Sequence, residues 1–232
     1  MRQVGRGAAK TVLRTVSADF RPQRRLRRRA APRLRHHEFR KGAPSLTFQY
    51  FFFDTVPGYF LQALPIALAA GVWYALRLHK KAPQLSSGRV VLRSLFPCYL
   101  AGLLVFTLFL YTVSDLYYLL FYGRPSQGGL PWFVLDYDFS FDFFRRFTTE
   151  NRDNILLFLP FGLLYPLYRP SAGWGRTVLA GLCTTVLIEL IQPVVGRSFD
   201  VDDIFMNLLG TVISATLFFL LRAVFRPKGK RA

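Results

Sequence analysis

Histidine, cysteine and acidic side chains are all scarce in this chain: three His, two Cys and 13 Asp plus Glu among 232 residues. Cys98 and Cys183 each lie inside an apolar run, which argues against a disulfide framework and leaves them as small apolar residues. His36, His37 and His79 are remote from every acidic cluster, so no metal site and no other cofactor is expected. There is no Gly-rich phosphate loop and no Gly-x-Ser-x-Gly elbow, the usual marks of nucleotide binding and serine hydrolysis. Residues 1–45 contain no apolar run long enough for the core of a signal peptide.

What is present is apolar bulk and positive charge. The chain is 52% hydrophobic with 24 Phe, yet its formal net charge is +18. These two properties are segregated along the sequence. Residues 1–45 hold the block Arg24-Arg25-Leu26-Arg27-Arg28-Arg29 and have too little apolar content for a core, so they read as a basic, disordered tail or as a start placed too far upstream. Such a tail also has the charge to meet anionic lipid or nucleic acid, although no specific nucleic acid is expected as a partner. The excess of Arg over Lys, with abundant Ala, Gly and Pro, points to a GC-rich bacterial gene.

A membrane span needs about 20 mainly apolar residues, because a helix rises about 1.5 Å per residue through a core about 30 Å thick. Five runs fit or approach this: 56–78, 95–122, 155–168, 174–195 and 204–225. In lipid every backbone polar group must be paired, so these runs are helices and not strands. The expected fold is therefore all-α, a polytopic membrane helix bundle of about five transmembrane helices. It divides into the tail (1–45), two transmembrane helices (46–122), an acidic and aromatic interfacial loop (123–153), a three-helix core (154–225) and a basic C-terminal tail (226–232).

Within that loop, residues 136–143 alternate strictly between acidic or polar and aromatic side chains, which is strand periodicity. It reads either as an extended segment on the membrane surface or as an acidic lid over a site. Orientation rests on Lys and Arg close to the spans, and these favour a cytoplasmic C-terminus. The tail, if it is counted too, argues the other way.

The polar residues of the last three spans carry the chemistry. Helices that cross a membrane in succession alternate in direction. The start of the third run, the end of the fourth and the start of the fifth therefore share one membrane face. Asn154, Glu189, Gln192, Arg197, Asp200, Asp203 and Asn207 all lie toward it. Glu189 and Gln192 are i, i+3 on one helix face, and Asp203 and Asn207 are i, i+4 on another. Pro160 and Pro193 each withhold an N–H from the carbonyl four residues back, beside these groups. A carboxylate placed in a span needs a partner, and Arg197 is the nearest cation, expected to pair with Asp200 or Asp203. Asp200, Asp202 and Asp203 offer oxygens of the kind Mg²⁺ or Ca²⁺ takes, but without a neighbouring His they are not read as a metal site. Such a network either binds a polar ligand or locks three helices together.

Asn154 ahead of Phe158, Pro160 and Gly162, then Glu189 and Gln192, then Asp200, Asp203, Asn207 and Gly210, resemble the motifs of the VanZ-like family of bacterial membrane proteins, named after a teicoplanin-resistance protein. The resemblance covers about residues 99–222. It implies a multi-pass protein of the bacterial cytoplasmic (inner) membrane, tied to the cell envelope and to glycopeptide tolerance; Pro160, Gly162, Pro193 and Gly210 are read from the sequence as helix-shaping. Three functions follow as expectations. The first is binding of a polar or lipid-headgroup ligand between the last three helices, the ligand being a membrane lipid, a lipid-linked cell-wall precursor or a glycopeptide. The second is a membrane-embedded enzyme acting on a lipid-linked precursor, with Glu189 or Asp203 as catalytic acid/base. The third is a structural or partner-binding membrane protein. The oligomeric state is open.

Overall fold

The computed structural model describes residues 47–124 and 132–225. They belong to one compact unit, Leu46–Ala232. The expectations for the two basic tails fall on residues outside the described ones.

A short helix, α1 (Phe48–Asp54), opens the unit, with Thr47 accepting from the Tyr50 N–H as its N-cap. Thr55 then caps α2 (Val56–Lys81) by accepting from the Gly58 N–H, and α2 ends on the basic residues His79, Lys80 and Lys81, the Lys charges placed where the helix dipole favours them. The next rod runs from Ser87 to Tyr122. It comprises α3 (Ser87–Leu104), one π-helical turn (Val105–Phe109) and α4 (Leu110–Tyr122). After β1 (Tyr137–Asp138) come α5 (Thr149–Tyr168), α6 (Trp174–Ile191), β2 (Phe199–Asp200) and α7 (Val201–Val224).

These rods correspond to the five apolar runs of the sequence. Four of them (Val56–Lys81, Ser87–Tyr122, Trp174–Val195 and Val201–Val224) are long and apolar enough to cross a membrane. The fifth, α5, carries Glu150, Arg152 and Asp153 near its start and Pro160 and Pro166 within it. It also begins earlier than its apolar run. Thr148 and Asn151 form a capping box, each side chain accepting from the other's backbone N–H (3.2 and 2.8 Å), so the helix starts at Thr149 and Asn154 sits inside it.

Small residues set the packing of the last three helices. α5 lies most extensively against α7. A Cβ on Gly162 would collide with Ser214, Ala215 and the Thr211 carbonyl of α7, and one on Gly210 would collide with the Ile155 carbonyl of α5. Both helices thus approach as backbone against backbone, the close contact that small residues permit in a membrane bundle. Buried hydroxyls in this seam cost little, because Thr211 and Ser214 donate back to carbonyls of their own helix. Phe96, Leu103, Leu108, Phe158, Phe161 and Ile188 form the apolar core between α3, the π turn, α5 and α6. In the N-terminal half, Gln62 is fully buried: it donates to the Phe52 carbonyl and accepts from the Ser114 hydroxyl, both at 2.5 Å.

Candidate functional site

The first turns of α5, the last turn of α6 and the first turns of α7 meet at one end of the bundle, as helix alternation requires. Asn154 on α5 donates from Nδ2 to Asp203 Oδ1 on α7 at 2.6 Å. Glu189, only 1% exposed near the end of α6, accepts on Oε2 from the Asp200 N–H at 3.2 Å. With the Gln192 amide turned so that both its atoms are satisfied, its nitrogen donates to the Ser198 carbonyl (2.9 Å) and to Glu189 Oε2 (3.0 Å). One turn deeper, Asn207 donates to the Thr185 hydroxyl at 2.9 Å. Asn154, Glu189, Gln192, Asp200, Asp203 and Asn207 thus lie toward this one end, Asn154 bonded to Asp203, Glu189 to Asp200 and Gln192, and Asn207 to Thr185.

Arg197 behaves differently from the expectation. It forms no salt bridge with a carboxylate among the described residues. Its Nη1 instead donates to the Thr107 carbonyl at 2.8 Å, within the π-helical turn of the Ser87–Tyr122 rod. A π turn breaks the regular i→i−4 ladder and offers a carbonyl to an outside donor, and Arg197 takes it. Its charge still acts on Glu189 and Asp203 through space. Sequence reasoning missed the pairing because the acceptor is a main-chain oxygen, which has no residue signature.

Asp202 is the residue whose role was not read from the sequence. It is buried, and its Oδ2 accepts from the backbone N–H groups of Asp142 (3.0 Å) and Phe143 (3.1 Å). The alternating segment is thereby fastened across the Arg197–Asp203 loop. Tyr137 and Asp138 pair in parallel with Phe199 and Asp200, and the Phe199 N–H donates to the Asp136 carbonyl. Phe133 and Val134 donate to the Val194 and Pro193 carbonyls. Tyr137 and Phe139 lie against Phe199, and Phe141 and Phe143 against Phe205. The period-2 pattern presents alternate aromatics to α7 and its leading loop. The available signal for Asp202 was its place at the start of a helix opposite a segment rich in unpaired N–H groups.

Asp200 caps α7 by accepting from the Asp202 N–H at 2.8 Å. Burial pushes its carboxyl up to about 6; the hydrogen bond from Asp202 opposes the rise, and the charges of Asp138, Asp202 and Glu150 add to it. Two oxygens at this end, Asp202 Oδ1 and Asn207 Oδ1, are buried without a hydrogen-bond partner among the described residues. The acids do not converge like metal ligands: no group of three His, Cys, Asp or Glu among the described residues is placed to hold a metal ion. Pro193 lies in the turn after α6, where Gly196 reverses the chain at φ 87°.

Fold and site together define a multi-pass α-helical membrane protein with a buried, acid-rich polar constellation at one end of its last three helices. The sequence model of the VanZ/LLP1 family matches residues 96–222, more than half of the chain, so the chain belongs to that family. The match runs from within the Ser87–Tyr122 rod through α5 and α6 to Arg222 in the last turn of α7, hence over the whole constellation. No curated protein and no solved structure matches the chain.

Proposed function

We propose that this protein resides in the bacterial cytoplasmic membrane and binds a polar ligand of the cell envelope, such as a lipid headgroup or a lipid-linked precursor, between α5, α6 and α7. The observation that carries this reading is an imbalance. Glu189, Asp200, Asp202 and Asp203 gather at one end of these helices, and the arginine beside them is engaged by a backbone carbonyl. Buried carboxylates without a paired cation favour a ligand that brings positive charge or hydrogen-bond donors. An ammonium-bearing headgroup has both. The unpartnered oxygens of Asp202 and Asn207 are further acceptors for such a group. The VanZ name links this binding to the envelope and to glycopeptide tolerance.

Lipid and precursor analysis of the purified protein tests the reading. The wild-type protein retains an amine-bearing envelope lipid or precursor; Glu189→Gln and Asp203→Asn, folded and inserted, lose it. Identical co-purifying profiles in all three proteins would refute it. A structural reading has its own support in the bonds from Asp200 and Gln192 to Glu189, which tie the loop to α6. That reading expects Glu189→Gln to change stability and leave the co-purifying profile alone.

A further inference from the structure

The opposite end of the same helices carries a second, unrelated feature. α3 begins there, and α5 and α7 end there. Between them lies a cavity of about 400 Å³ lined by Arg89, Arg93 and Arg222 together with Leu92, Leu167 and Phe218. Arg89 and Arg93 are i, i+4 on α3 and so share one helix face. Arg222 stands in the last turn of α7 and also borders an adjoining cavity of about 370 Å³ beside Ser171 and Gly173.

Among the described residues, three guanidiniums line this cavity and no carboxylate does. None of the three forms a salt bridge among the described residues. Like charges gathered around one space repel, and an anion placed among them relieves that repulsion. Arginine forks match phosphate oxygens in pairs, which a lysine ammonium does not do. The apolar half of the lining continues onto the outward face of α7, where Leu217, Leu220 and Leu221 are about half exposed. That surface is suited to hydrocarbon chains and has no use for a free, fully hydrated ion.

We propose that Arg89, Arg93 and Arg222 form a binding site for the phosphate of an anionic phospholipid, whose acyl chains run along α7. The site is separate from the acid-rich end and independent of what binds there. Span-proximal Lys and Arg favour the cytoplasmic side for this end, which assigns the lipid to the inner leaflet. Arg89 and Arg93 lie outside or apart from every motif that carries the family resemblance, as does Arg222.

Native mass spectrometry of the full chain in detergent, with phosphatidylglycerol and phosphatidylcholine added in equal amounts, tests this. The wild-type protein should retain phosphatidylglycerol preferentially. Each Arg→Gln change at positions 89, 93 and 222 should weaken that lipid about fivefold, and the triple variant on the order of a hundredfold, with phosphatidylcholine unaffected. The control is Lys80→Gln, Lys81→Gln and Arg176→Gln together, which removes as many charges near the same end but outside the cavity. It should keep the preference. Equal phosphatidylglycerol binding by wild type and the triple Gln variant would overturn the proposal, and so would an equal loss in the control. Displacement of the lipid by an equimolar amount of inorganic phosphate would overturn the assignment to lipid. If the triple variant does not fold, Arg93→Gln alone carries the test, and no loss of preference in it counts against the site.

Discussion

The two ends of the last three helices solve opposite problems. At the acid-rich end, Glu189, Gln192, Asp202 and Asn207 are buried and bonded to main chain, to one another or to neighbouring hydroxyls. At the basic end, Arg89 and Arg222 stand exposed around an open cavity. Buried polar groups need partners, and at the first end the fold itself supplies most of them, Asp202 Oδ1 and Asn207 Oδ1 excepted among the described residues. Exposed cations keep their hydration and can exchange ligands, so the second end can be altered with little harm to folding. Between them lies the glycine seam of α5 and α7, which depends on neither.

The largest break should come from that seam. Gly210→Leu or Gly162→Leu drives a side chain into the backbone of the facing helix, an overpacking expected to cost about 3 kcal/mol or more. Loss of the monodisperse peak in detergent reads it out. Gly88→Ala, at an open position in the first turn of α3, serves as the tolerated control. At the acid end, Glu189→Ala leaves the Asp200 N–H without its acceptor and the Gln192 amide with only the Ser198 carbonyl. Destabilisation of about 2 to 3 kcal/mol is expected from thermal melts in detergent.

Arg197→Met should be milder, about 1 to 2 kcal/mol, since it removes one donor from the Thr107 carbonyl. A double-mutant cycle with Asp203→Asn sharpens the comparison. Without an ion pair the coupling stays below about 1 kcal/mol, whereas a value of about 3 kcal/mol or more would establish a buried pair.

Asp200 adds a pH dependence specific to the acid end. Its folded-state value is raised from 3.8 to about 6, so the folded protein holds this proton more tightly than the unfolded chain. The resulting stabilisation is complete below the unfolded value and is lost as pH rises through about 6. Wild type should therefore melt lower at about pH 7 than at about pH 4.5 relative to Asp200→Asn, in which this component is absent. A flat difference between the two proteins across that range would contradict the assignment. The smallest effect is expected at the exposed Arg152–Asp153 pair, 3.0 Å apart with both side chains more than half exposed. Arg152→Ala should change stability by less than about 1 kcal/mol.

Much of this molecule could be read before any coordinates. Run length and apolar content dictated helices, since a bilayer leaves the backbone no other partners over such lengths. Alternation of direction then brought Asn154, Glu189, Asp203 and Asn207 to one end without knowledge of a single contact. Their identity and spacing also carried the family. What sequence could not supply was any interaction whose partner is main chain. Arg197 was expected to seek a carboxylate and took the Thr107 carbonyl, because a π turn is a property of backbone geometry and leaves no residue mark. Asp202 captured two N–H groups some sixty residues away for the same reason. The alternation of residues 136–143 announced an extended segment, but only the fold decided that it would pair with residues 199–200. The glycines of α5 and α7 were visible as small residues, while the face each turned to the other was not. Composition and period determine which elements form and which end their polar groups occupy. Tertiary structure decides which backbone atoms those groups meet, because carbonyls and amides are the same at every residue and differ only in where the fold leaves them exposed.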